Sequence, residues 1–128
     1  MQMHIHSKRQ GQALLMLVSF VAIALTVLTA AIVNAFINIK AATSTQLSDT
    51  AYSVTESGVE NALIRVLRDT SYTGETLTVG TGTVQTTVTG TNPKTITAVG
   101  TAGQFKRTIQ VIASDSAGIL TVTSWKEQ

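Results

Sequence analysis

The sequence predicts an α+β fold: one long N-terminal helix, with a small antiparallel sheet packed on its C-terminal half. Three observations predict it. Residues Ala13–Val33 form an unbroken apolar run. No proline occurs before Pro93, so helix-compatible sequence continues from that run to about Asp69. After Asp69 the composition turns Thr- and Gly-rich, and apolar residues alternate with polar ones, the period of a half-buried strand.

The apolar run carries no charge, and its polar side chains are Ser19, Thr26 and Thr29. Their hydroxyls can bond to carbonyls one turn back, so they cost little in lipid. At 1.5 Å per residue the run spans about 30 Å, a bilayer's hydrocarbon core. Membrane insertion is favoured over a wholly buried core helix, because fewer than 100 residues remain to surround one. Lys8 and Arg9 precede the run and only Lys40 follows closely, so the positive-inside tendency places the N-terminus in the cytoplasm and exports the rest. His4 and His6 lie in this leader without acidic partners, and a disordered tail is expected there.

Three fates are open to the run. Val33-Asn34-Ala35 is a passable signal-peptidase site, but the apolar stretch exceeds the roughly 7–15 residues of a secretory signal. The run can stay as an uncut anchor. Or the chain can be cut on the cytoplasmic side at Gly11, keeping the helix on the mature protein.

Beyond the run, Tyr52, Val59, Ala62, Leu63, Val66 and Leu67 recur at helical spacing and predict one broad packing face. Asn61, Arg65 and Arg68 lie opposite, with Arg65 and Asp69 spaced to pair across a turn. Gly58 inside this pattern costs about 1 kcal/mol relative to alanine and marks the close approach of another element. The helix is expected over residues 12–69, on the order of 85 Å long.

Five strands follow at 75–79, 83–89, 94–99, 105–113 and 119–125, separated by turns at Gly80-Thr81-Gly82, 90–93, Gly100 to Gly103 and Asp115 to Gly118. Connections this short require antiparallel neighbours, hence a meander. Leu77, Val84, Val88, Ile96, Ile109, Val111 and Val122 are the expected core of the sheet, and threonines line its other face. Trp125 is expected to cap the core. Ile112 and Leu120 break the alternation and leave the buried face of the last two strands open.

No catalytic constellation is present. The chain has no cysteine and no histidine outside the leader, so Cys-ligated zinc and thiol chemistry are excluded. Glu56 and Glu60 sit one turn apart and read as a solvated helix edge. The glycines at 80, 82, 100 and 103 do not open a helix, unlike a phosphate cradle. A net charge of +2 without a basic block gives no nucleic-acid footprint. No enzyme activity, metal or cofactor is expected.

The arrangement resembles a type IV pilin or pseudopilin over nearly the whole chain. Lys8-Arg9-Gln10-Gly11 followed by Gln12-Ala13-Leu14-Leu15-Met16 is similar to a class III signal. The segment from Ala51 to Leu63, with Glu56-Ser57-Gly58-Val59-Glu60-Asn61-Ala62, resembles the corresponding helix of PilX-like minor pilins, as do Gly100 to Ile109 and Ser124-Trp125 in the sheet. The resemblance implies cleavage after Gly11 by a prepilin peptidase, N-methylation of Gln12, and assembly with other pilin subunits into an extracellular filament. It divides the chain into a cytoplasmic leader (1–11), a long helix (12–69) and a β domain (70–128). Most pilins carry glutamate at the fifth mature position, where this chain has Met16, and many carry a helix proline that is missing here. The first departure favours a minor subunit. The reading kept beside it is a signal-anchored surface protein whose β domain binds a ligand.

Overall fold

The computed structural model describes the backbone of residues 3–128 and the side chains from Arg9 onward. The side chains of His4, His6 and Lys8 lie outside the described residues. The fold is α+β: a long helix, α1 (Met3–Arg68), followed by β1 (Thr76–Val79), β2 (Gly82–Thr89), β3 (Lys94–Ala102), β4 (Phe105–Ser116) and β5 (Ile119–Glu127). The chain divides into two compact units, one ending at Ala42 and one running Thr43–Gln128.

The helix starts at Met3, nine residues before the expected Gln12. No capping side chain or proline marks residue 12 as a start. Gly11 costs a helix only about 1 kcal/mol, too little to end one. At its other end α1 stops at Arg68, one residue before expectation. Asp69 there accepts hydrogen bonds from the backbone N–H (2.8 Å) and hydroxyl (2.5 Å) of Ser71, which hold its carboxyl below the usual carboxylate range.

The strands form one sheet in the order β1-β2-β3-β4-β5, every pair antiparallel, which is the expected meander. Two-residue turns join three of the pairs. Ala117 and Gly118 both have positive φ (56° and 81°), the demand of a type I′ hairpin. β3 runs through Gly100 to Ala102, so the turn expected at Gly100 to Gly103 shrinks to Gly103-Gln104.

Within the second unit, the helix residues from Ala51 to Val66 cover one face of the sheet. The core joins Val54, Val59, Ala62 and Val66 to Val84, Val88, Ile96, Ala98, Ile109 and Val111, with Tyr52, Leu63, Leu77 and Leu120 packed at its margin. Close approach is possible because the helix presents small residues there. Ala51, Thr55, Gly58 and Ala62 are all buried at spacings of three and four. A side chain at Gly58 would overlap the Val84 methyls, as the spacing argument anticipated. Gly100 answers from the sheet: a Cβ there would overlap Thr55 Oγ1 and lie 2.8 Å from Ala51 O.

Three expected packing positions fail. Leu67 is 56% exposed, because at 100° per residue it sits about 140° round the helix from buried Ala62, outside the arc that Val59, Ala62 and Val66 turn to the sheet. Val122 and Trp125 pair with Ala113 and Val111, so they share the helix-facing side, yet they are 43% and 41% exposed. β5 is an edge strand, and the helix covers β2 to β4. A register shift opposite Ile112/Ala113 resolves the broken alternation: one extra β5 residue is inserted there, as in a β-bulge.

Candidate functional site

Two features stand out, one in each unit, and each is built differently. In the first unit, α1 presents the side chains of Leu14, Leu15, Met16, Leu17, Val18, Phe20, Val21 and Ile23, and onward to Ile39, without cover. This helix is long and apolar enough to cross a membrane, and its apolar window is not buried within the protein. Ser19, Thr26 and Thr29 donate to the carbonyls of Leu15, Ala22 and Leu25, each at 2.8 Å, as expected of hydroxyls adapted to an apolar surrounding. Asn34 does the same toward Ala30 O at 3.0 Å.

Gly11 and Gln12 lie inside this helix and are exposed, as is Arg9. Gly11 has no positive φ, and a Cβ built on it would meet nothing within 4 Å. Neither backbone conformation nor packing asks for glycine here, although glycine costs a helix about 1 kcal/mol. Met16 is 67% exposed on the same segment.

In the second unit, the predicted packing residues meet as a group: Val59 and Val66 are buried, and Tyr52 and Leu63 pack at the core's edge. Beside them sits a polar clasp that sequence reasoning missed. Glu75 Oε1 accepts from Asn61 Nδ2 (2.9 Å) and from the Tyr72 hydroxyl (3.1 Å), and pairs with Arg65 Nε (3.3 Å). Arg65 therefore reaches Glu75 in the link before β1 rather than Asp69, and Asn61 is not on a free face. The clasp fastens the link between α1 and β1. Lys94, only 8% exposed, fastens the same link by donating from Nζ to Thr70 O at 2.7 Å. At the opposite end Arg107 bridges Ser48 Oγ (2.6 Å) and Glu127 Oε1 (2.8 Å). These contacts lock the sheet to the helix; they do not converge on an open cavity.

Burial pushes the Tyr72 hydroxyl above its ordinary range; the Thr86 hydrogen bond opposes this, and the Glu75 carboxylate adds to the rise. A raised folded-state value means that the unfolded chain loses this proton first. The stability Tyr72 contributes is therefore complete below about pH 10 and is lost as pH rises through its folded value. Denaturant titrations of the full chain in detergent should show a shallower alkaline loss for Tyr72→Phe than for the parent. An identical alkaline profile would show that the clasp does not hold this proton.

Among the described residues, no three His, Cys, Asp or Glu side chains gather into a metal-binding group. Comparison with protein-family models, with curated proteins and with solved structures finds no match.

Proposed function

We propose that the chain is a structural subunit of a type IV pilus or related pseudopilus, a minor pilin, cut after Gly11 and assembled with other pilin subunits through its apolar helix. The observation that carries this reading is a single α1 whose first part is apolar all round and uncovered, and whose later part carries a sheet. An all-round apolar helix suits lipid before assembly and a bundle of like helices after it. Before assembly the subunit is a single-pass protein of the cytoplasmic membrane with its N-terminus inside. Afterwards the Thr-rich face of the sheet, Thr83, Thr87, Thr89, Thr95 and Thr97 among its residues, is the filament's outer surface.

Gly11 adds support of a different kind. A glycine that the fold does not need, at a cost in helix stability, points to a requirement outside the chain, such as the narrow active site of a peptidase. Met16 is consistent with a minor role, because an apolar side chain brings no carboxylate that must find a partner in the filament core.

The mature N-terminus tests the proposal. Mass spectrometry of the cell-envelope protein is expected to find N-methyl-Gln12, and Gly11→Leu is expected to accumulate uncut and stay out of filaments. An intact Met1 on the wild-type protein, or a start after Ala35, would leave a plain anchored or secreted β-domain protein instead.

A further inference from the structure

Residues Ile32–Lys40 carry a feature that a generic membrane helix does not require. Ile32, Val33, Phe36, Ile37 and Lys40 line a shallow groove along one side of α1. At 100° per residue these five fall within an arc of about 140°, with Lys40 near its middle, while Asn34 and Asn38 fall on the opposite side. The groove is therefore one-sided: apolar along its length, with an ammonium group at one end.

That ammonium has no counter-charge of its own. The first acidic residue of the chain is Asp49, so every charge up to Lys40 is basic. Neither ion pair among the described residues involves Lys40. Its depth is set by Arg9. The 31-residue rise between them is about 46 Å, close to the roughly 40–45 Å that a bilayer measures with its headgroups included. With Arg9 among the phosphates of one leaflet, Lys40 stands among those of the other. Ile32 and Val33 then lie alongside the outer acyl chains, and Phe36 and Ile37 at their glycerol ends.

We infer that this groove is a binding site for an anionic phospholipid of the outer leaflet, resting on the reading that this part of α1 lies in a membrane. One molecule supplies both complements: an acyl chain and its glycerol-ester end along Val33, Phe36 and Ile37, and a phosphate-borne negative charge on Lys40. A like helix would cover the apolar arc but brings no carboxylate before Asp49 to answer the charge.

The test uses the full chain in vesicles of phosphatidylcholine containing a minor fraction of phosphatidylglycerol, with either lipid carrying a photoactivatable acyl chain. Crosslinking to the peptide spanning Ile32–Lys40 should favour phosphatidylglycerol about fivefold, the equivalent of roughly 1 kcal/mol for one lysine near a membrane surface. Lys40→Gln should abolish the preference, Phe36→Ala should weaken crosslinking of both lipids at this peptide, and Lys106→Gln should change neither. Equal crosslinking of the two lipids, or a preference that survives Lys40→Gln, overturns the site while leaving membrane insertion intact. A chain that stays out of the vesicles overturns the membrane reading itself, and the site with it.

Discussion

Gly100→Ala should destabilise the folded chain by about 3 kcal/mol, the upper end of what overpacking costs. The reason is what the new methyl would meet. It would overlap Thr55 Oγ1 and lie 2.8 Å from both Ala51 O and Thr55 N, so two of its three nearest neighbours are backbone of a helix that cannot rotate away. Either β3 moves off α1, loosening Ile96 and Ala98 with it, or the helix shifts. A double-mutant cycle with Thr55→Ala isolates the geometry. Removing Oγ1 relieves one overlap, so the pair should cost less than the sum of the single changes. It should not restore the parent stability, because the contacts with Ala51 O and Thr55 N remain. Gly118→Ala is the control: its φ of 81° strains an alanine, but no atom lies within 4 Å of the added methyl. It should cost about 1 kcal/mol. Urea unfolding of the full chain in detergent measures all four. A Gly100→Ala variant as stable as Gly118→Ala would mean that helix and sheet are not held this closely.

That contact shows where sequence reading succeeds and where it stops. Gly58 could be read as a point of close approach, because a glycine inside a strong helical pattern needs a packing reason. Its counterpart Gly100 could not. Standing beside Thr101-Ala102-Gly103, it looks like turn material, and only the pairing of β3 with β4 through Ala102↔Phe105 makes it a strand residue. Thr55 was invisible for a related reason. A threonine is a poor candidate for a fully buried helix position, yet its hydroxyl bonds to Ala51 O at 2.6 Å and to Arg107 O at 3.3 Å, so it is satisfied inside the core. Periodicity found Val59, Ala62 and Val66, which face the middle of the sheet. It misplaced Leu67, which lies outside the arc of α1 that meets the sheet, and Val122, whose pattern is correct but whose strand extends past the cover. Pattern reports which side a residue faces, not how far the neighbour reaches. The charged clasp had no local signal at all, because Arg65 lies on α1 and Glu75 in the link after it, and they meet only once that link folds back on the helix. In the apolar segment the hydroxyl back-bonds were legible, since their partners lie one turn away in the same helix.

One arginine in the apolar segment should separate its two proposed surroundings. The run Ala13–Val33 holds twelve Leu, Ile, Val and Phe side chains. At about −0.3 to −0.6 kcal/mol each, they give insertion a reserve of about 5 kcal/mol. Ile23→Arg at the middle of the run spends about 3 kcal/mol of that reserve. The variant should therefore still fractionate with the membrane, where its side chain can snorkel and draw in water. A filament core offers no such escape. The arginine would be desolvated among apolar helices, no other copy of this chain brings an acidic residue before Asp49 to answer it, and burying an unpaired charge in this way costs several kcal/mol. Ile23→Arg is expected to be cut at Gly11 and held in the membrane, yet absent from sheared filaments. Adding Val27→Arg doubles the cost to about 6 kcal/mol, past the reserve, and should release the chain from the membrane as well. If the single variant entered filaments as efficiently as the parent, assembly would not run through this helix, and the filament proposal would have to be given up while the membrane reading stood.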